Sequence, residues 1–200
     1  MEFTHHRTVR LTAILLLIAA ISQPIYTLLY MHAPEVNRQW LWGIEALIFV
    51  LLAAFAGAAM SGSKRYTLVF SAIAFSAVLN VVQVGVGLTQ FGPFREAAAA
   101  APDLKGAAFS IVAFSFFGYN AAKILLGLAA LVIGMSKMSD GRKALGSITA
   151  LVGGIALIAN ALVMMFGIQG VVPRPLAGGT GVAATALLAV CLLTAKDESH

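Results

Sequence analysis

The chain has 200 residues, of which 60% are hydrophobic and only 10% charged, with a formal net charge of +5. Soluble domains carry about a quarter charged residues, so this balance excludes an ordinary water-soluble globule. A mean hydropathy of +0.92 points instead to a polytopic membrane protein whose first partner is the lipid bilayer. The basic excess is not a nucleic-acid signature, because lysines and arginines sit at the ends of apolar runs, where membrane orientation accounts for them. The single Cys191 excludes an intrachain disulfide, and no Cys/His spacing resembles a metal site.

Residues 1–10 form a polar tail that holds Arg7 and Arg10. The apolar run that follows carries Ala20-Ile21-Ser22, small residues at the spacing of a signal-peptide cleavage site. Pro24 lies close behind and the run continues to Tyr30, so the expectation is a first transmembrane helix over 11–31, bent where proline removes a backbone donor. A second helix over 40–60 opens on Trp40 and Trp42, residues suited to a membrane interface. Ser61 to Arg65 reads as a tight basic turn before a third helix over 66–88.

Residues 89–106 read as the longest connection, with a short surface helix over 96–101 stopped by Pro102. Long connections of this kind often act as lids, and this one is expected to cover a site beneath it. The fourth helix, 106–135, is longer than a span needs. A second basic loop over 137–143 leads to a fifth helix, 144–167. Val172-Pro173-Arg174-Pro175 then breaks the chain before a sixth, 176–195. The expected fold class is all-α: a six-transmembrane-helix bundle forming one domain over residues 1–200.

Alternating the helices across a bilayer puts Arg7, Arg10, Lys64, Arg65, Lys137, Arg142, Lys143 and Lys196 on one side. The other side holds Arg38, Arg95, Lys105 and Arg174. The positive-inside rule then gives cytoplasmic N- and C-termini, as an even number of spans requires. The expected setting is a bacterial-type inner membrane. Helices three and five share a spacing, Asn80 to Pro93 and Asn160 to Pro173, that suggests a weak internal repeat.

The polar residues inside these runs carry the functional expectation. Lys123 is flanked on its C-terminal side by apolar residues, and an ionisable side chain in lipid is costly enough to suggest a functional site. Ser76, Asn80, Gln83 and Gly87 fall on one helical face, as do Ser115, Tyr119 and Lys123, with Asn120 beside them. Ser22, Tyr26 and Tyr30 do the same on helix one. Facing lipid, each amide would be unsatisfied, so these stripes should point inward.

The expectation is an outward-opening pocket in the outer half of the bilayer. Lys123 forms its floor and Glu45 its wall, with Asn80, Gln83, Tyr119, Asn120, Gln23 and Asn160 completing a ligand-binding set. The plainer reading is that amides serve as interhelical glue and that Glu45 snorkels to the headgroups. Ala53-Gly57-Ser61 and Ala150-Gly154 are small-residue steps that would permit close helix crossings.

The pocket favours binding or transport of a small polar or anionic molecule. The alternative is an accessory or assembly subunit of a larger membrane complex, and a second copy or a partner subunit is a candidate neighbour. An intramembrane enzyme or chromophore protein lacks a signature: no HExxH, no GxSxG, no paired carboxylates and no His pair for haem, so no cofactor is expected.

Overall fold

A computed structural model describes residues 4–33, 35–168 and 170–195. Among them are six helices: α1 (His5–His32), α2 (Gln39–Gly62), α3 (Thr67–Ala100), α4 (Lys105–Ser139), α5 (Lys143–Phe166) and α6 (Arg174–Leu193), with one 3₁₀ turn, Pro102–Leu104. All six are long and apolar enough to cross a membrane. The shortest, α6, rises about 30 Å, the thickness of a hydrocarbon core. The chain is a multi-pass membrane protein of all-α class.

The helix ends follow local chemistry. Thr4 caps α1, its Oγ1 accepting from the Arg7 backbone N–H at 3.4 Å. α5 stops at Gly167, whose φ of +80° is open to glycine and strained for other residues. Pro24 lies within α1 without ending it.

Pro93 likewise fails to end α3. Residues 89–100, expected as a connection with a separate surface helix, continue α3 without interruption. The alanines after Glu96 are the strongest helix formers, and α4 packs alongside, so a proline costs the helix only its local hydrogen bond. The true connection shrinks to Ala101 and the 3₁₀ turn, which packs only against α3 and α4 among the described residues. It covers no other helix, so the expected lid is absent from this segment.

Neighbours in sequence are neighbours in space, and α6 closes the ring onto α1 while also touching α4. The closest pairing is α4 with α5. A Cβ on Gly134 would lie 2.4 Å from the Ala150 backbone N, and one on Gly146 would lie 2.6 Å from the Gly134 carbonyl. Gly127 and Gly153 repeat the arrangement a heptad away, with a Gly153 Cβ 2.6 Å from the Leu131 backbone N. Backbone-to-backbone approach of this kind needs glycine, and it provides the packing that drives helix association in lipid. The expected small-residue steps lie elsewhere: a Cβ on Gly57 or Gly154 would meet nothing within 4 Å.

Several contacts gather one end of the bundle. His5 at the start of α1 lies against Gly62 and stacks edge-on with Phe70. Arg65 pairs with Asp140 at 2.7 Å and donates to Ser136 Oγ, joining the α2–α3 and α4–α5 turns. Arg142 donates to the Thr194 carbonyl at 2.6 Å, bringing in the end of α6. The start of α1 and the end of α6 therefore share the face that carries the two basic turns.

Candidate functional site

At 1.5 Å per residue, Lys123, Glu45, Gln23 and Asn160 lie about 24–27 Å along their helices from the basic end, with Asn80 at about 20 Å. Residues from five helices thus fall in one layer. From the opposite end the layer is shallower, about 9 Å below the start of α2 and 14 Å below the end of α1.

Lys123 is 1% exposed, yet no backbone contact joins its helix to α1. Its stem fills that gap. It runs past α6 at Gly181, where a Cβ would lie 2.9 Å from the lysine Cδ and 3.1 Å from Cγ. Beyond, Lys123 Nζ donates to Gln23 Oε1 at 2.9 Å and sits 5.3 Å from the centre of the Tyr119 ring. Among the described residues Gln23 is its sole hydrogen-bond acceptor, and no carboxylate comes within ion-pair distance.

Glu45, 5% exposed, is held separately by Ser22, whose hydroxyl lies 2.6 Å from Oε1 and 3.0 Å from the Ala19 carbonyl. The Glu45 and Lys123 side chains are linked through consecutive residues of α1, Ser22 and Gln23, rather than by direct contact. Pro24 follows immediately, at a position where the helix already lacks one backbone donor.

The other expected site residues split into two groups. Tyr119 belongs with Lys123, and its hydroxyl faces α6 at Gly178, where a Cβ would lie 3.8 Å away. That hydroxyl has no hydrogen-bond partner among the described residues. Asn80, Asn120 and Asn160 instead donate to the carbonyl one turn back, those of Ser76, Phe116 and Ala156. Asn160 also reaches the Ala177 carbonyl at 3.1 Å, tying α5 to α6. Gln83 contributes its backbone carbonyl, which accepts from Ser115 Oγ at 3.3 Å.

Asn80 and Asn160, equivalent in the suspected repeat, share one further property. The Oδ1 of each is buried and accepts no hydrogen bond among the described residues. Buried polar atoms without partners are rare and costly, so each marks a place with spare hydrogen-bonding capacity.

Toward the shallow end an aromatic layer lies one turn beyond Gln23 and Glu45. Tyr26 stacks on Trp42 with ring centres 5.1 Å apart, and Trp42 meets Phe91 edge-on at 5.5 Å. Gly87 makes room for Trp42: a Cβ there would lie 2.7 Å from the indole. The Arg38 guanidinium stands 5.8 Å from the Tyr26 ring centre and 5.4 Å from that of Tyr30.

Three contributors were not singled out from the sequence. Sequence spacing puts Ser22 in a cleavage-like step and on an aromatic stripe, and gives Gly178 and Gly181 no role. Their signal was available in principle: glycines at a three-residue step in α6 provide the flat face that a long buried side chain needs. Among the described residues no group of His, Cys, Asp and Glu could hold a metal ion. Comparison with known protein families, with curated proteins and with solved structures finds no match to this chain.

Proposed function

We propose that this protein is a small membrane binding or transport protein whose polar layer receives a small polar or anionic molecule beside Lys123. The observation that carries the reading is the setting of that lysine: buried, with Gln23 its sole hydrogen-bond acceptor and no carboxylate within ion-pair distance among the described residues. A buried charge without an acidic partner is expensive, and a bound anion is the simplest compensation. Among the described residues the Tyr119 hydroxyl has no hydrogen-bond partner and neither do the Asn80 and Asn160 carbonyl oxygens, which adds donor and acceptor capacity within about two turns of Lys123 in depth.

On this reading the basic end faces the cytoplasm of a bacterial-type inner membrane, supported by the seven basic side chains from Arg7 to Lys143 gathered there. The polar layer then lies in the outer half of the bilayer, beneath Tyr26, Trp42 and Phe91. The ligand gains access where the aromatic layer opens or where the glycine-containing face of α6 moves from Lys123.

The test is uptake of small organic and inorganic anions by proteoliposomes. Saturable uptake lost in Lys123→Met supports transport. Tight retention without uptake supports a binding protein. Neither, with a second membrane subunit co-purifying in fixed ratio, supports an accessory subunit instead.

A further inference from the structure

Outside the polar layer, the long α3–α4 hairpin carries a groove of about 360 Å³ between the end of α3 and the start of α4. Phe91, Phe94, Phe109 and Val112 supply apolar lining, and Arg95 and Lys105 contribute the two cationic side chains. Both cations are exposed, and neither forms an ion pair or a side-chain hydrogen bond among the described residues. Glu96 and Asp103 lie close in sequence but do not pair with them. A groove of this chemistry suits a molecule with one apolar part and one anionic part.

Depth narrows the choice. Along α3, Phe91, Phe94 and Arg95 lie about 36–42 Å from the basic end. Along α4, Val112, Phe109 and Lys105 lie about 40–51 Å from it. A bilayer measures about 40–45 Å across its headgroup layers and about 30 Å across its hydrocarbon. With the basic end at one headgroup layer, the groove stands at the opposite one. There, phosphate groups are abundant and the upper parts of acyl chains lie just beneath.

We propose that this groove binds an anionic phospholipid of the surrounding bilayer, its phosphate between Arg95 and Lys105 and its glycerol and upper acyl chain against the phenylalanines. Charge-assisted contacts to phosphate supply selectivity for an anionic headgroup, and the aromatic lining supplies the apolar contact a free anion cannot use. The site shares only Phe91 with the aromatic layer over Lys123, and its two cations do not depend on the function of that layer.

The test is native mass spectrometry of the full-length protein in detergent, titrated with phosphatidylglycerol, with phosphatidylcholine of the same acyl chains, and with glycerol 1-phosphate. Phosphatidylglycerol should be retained at least about tenfold better than phosphatidylcholine, and glycerol 1-phosphate should not be retained. Arg95→Gln with Lys105→Gln should remove that preference, whereas Lys64→Gln at the basic end should leave it intact. Arg95 and Lys105 are exposed, so the double variant should fold, which its elution as a single sharp species would verify. A milder probe is Phe109→Ser, which should weaken retention of both lipids together. Equal retention of the two lipids, an unchanged preference in the double variant, or binding of glycerol 1-phosphate as tight as that of the lipid overturns the proposal.

Discussion

Lys123 reaches across the bundle from α4 to Gln23 on α1, its Nζ donating to Oε1 at 2.9 Å between helices that share no backbone contact. The bridge makes the two residues unequal. Removing the lysine leaves a neutral amide in need of a donor, whereas removing the glutamine strands a buried ammonium. Breaking a buried charged contact from the neutral side is the costlier change, because the charge stays behind. Gln23→Leu should therefore destabilise by about 2–3 kcal/mol and Lys123→Met by less, about 1 kcal/mol. The double variant should be no worse than Gln23→Leu alone. Reversible unfolding in mixed micelles measures all three, and equal costs for the single variants would show that the lysine is not held by this contact.

Gly181 gives a second handle on the same side chain. A methyl at that position collides only with the flexible lysine stem, at 2.9 Å and 3.1 Å, and not with backbone. Gly181→Ala should cost little stability, about 1 kcal/mol, while displacing the ammonium from Gln23. Gly178→Ala, which would place its Cβ in ordinary contact 3.8 Å from the Tyr119 hydroxyl, should change neither stability nor binding. Parallel measurements of unfolding and ligand retention separate the two. Loss of retention in both variants would mean that the face of α6, rather than the lysine stem, matters.

The α4–α5 seam makes a sharper packing prediction. At Gly134 a Cβ would sit 2.4 Å from the Ala150 backbone N, where only helix separation can relieve it. Gly134→Ala should cost about 2–3 kcal/mol. Gly154→Ala, with nothing within 4 Å of the added carbon, should be neutral or slightly stabilising through helix propensity. Comparable losses in both would contradict the seam.

The six spans and the polar layer were legible in the sequence because lipid imposes length on apolar runs and makes an intramembrane Lys123 or Glu45 conspicuous. What could not be read was which side chains meet. Helical spacing places Ser115, Tyr119 and Lys123 on one face, but it does not say which helix lies opposite. The link from Lys123 to Glu45 runs through Ser22 and Gln23 of α1, a helix that the spacing on α4 does not point to. Asn80 and Asn120 donate within their own helices, to the carbonyl one turn back. The continuation of α3 past residue 88 has a different reason: the alanine run and the neighbouring helix outweigh Pro93. The glycine seam does not follow the four-residue small-residue pattern, because Gly127/Gly134 and Gly146/Gly153 repeat every seven residues.

Orientation can be checked independently. In a Cys191→Ala background, cysteines at Lys64 and Ser139 should resist a membrane-impermeant maleimide added to intact cells and react after the cells are opened. Cysteines at Asp103 and Val171 should react from outside. Labelling of Lys64→Cys from outside would reverse the proposed orientation, and labelling of Lys64→Cys and Ser139→Cys from opposite sides would contradict the shared end seen in the fold.

The central claim is that the buried ammonium of Lys123 holds a small molecule, and native mass spectrometry of the purified protein tests it most directly. Wild type should retain a small polar or anionic adduct that survives mild activation and is displaced by the identified compound in excess. Lys123→Met, folded and monodisperse, should lose it, with affinity reduced about tenfold or more, as expected for a charge-assisted contact in a dry site. Arg65→Gln, at the basic end and far from the layer, should retain it. An adduct held equally by wild type and Lys123→Met, or a wild-type protein that binds none of the anions tested and is unaffected in cells by Lys123→Met, would contradict the account.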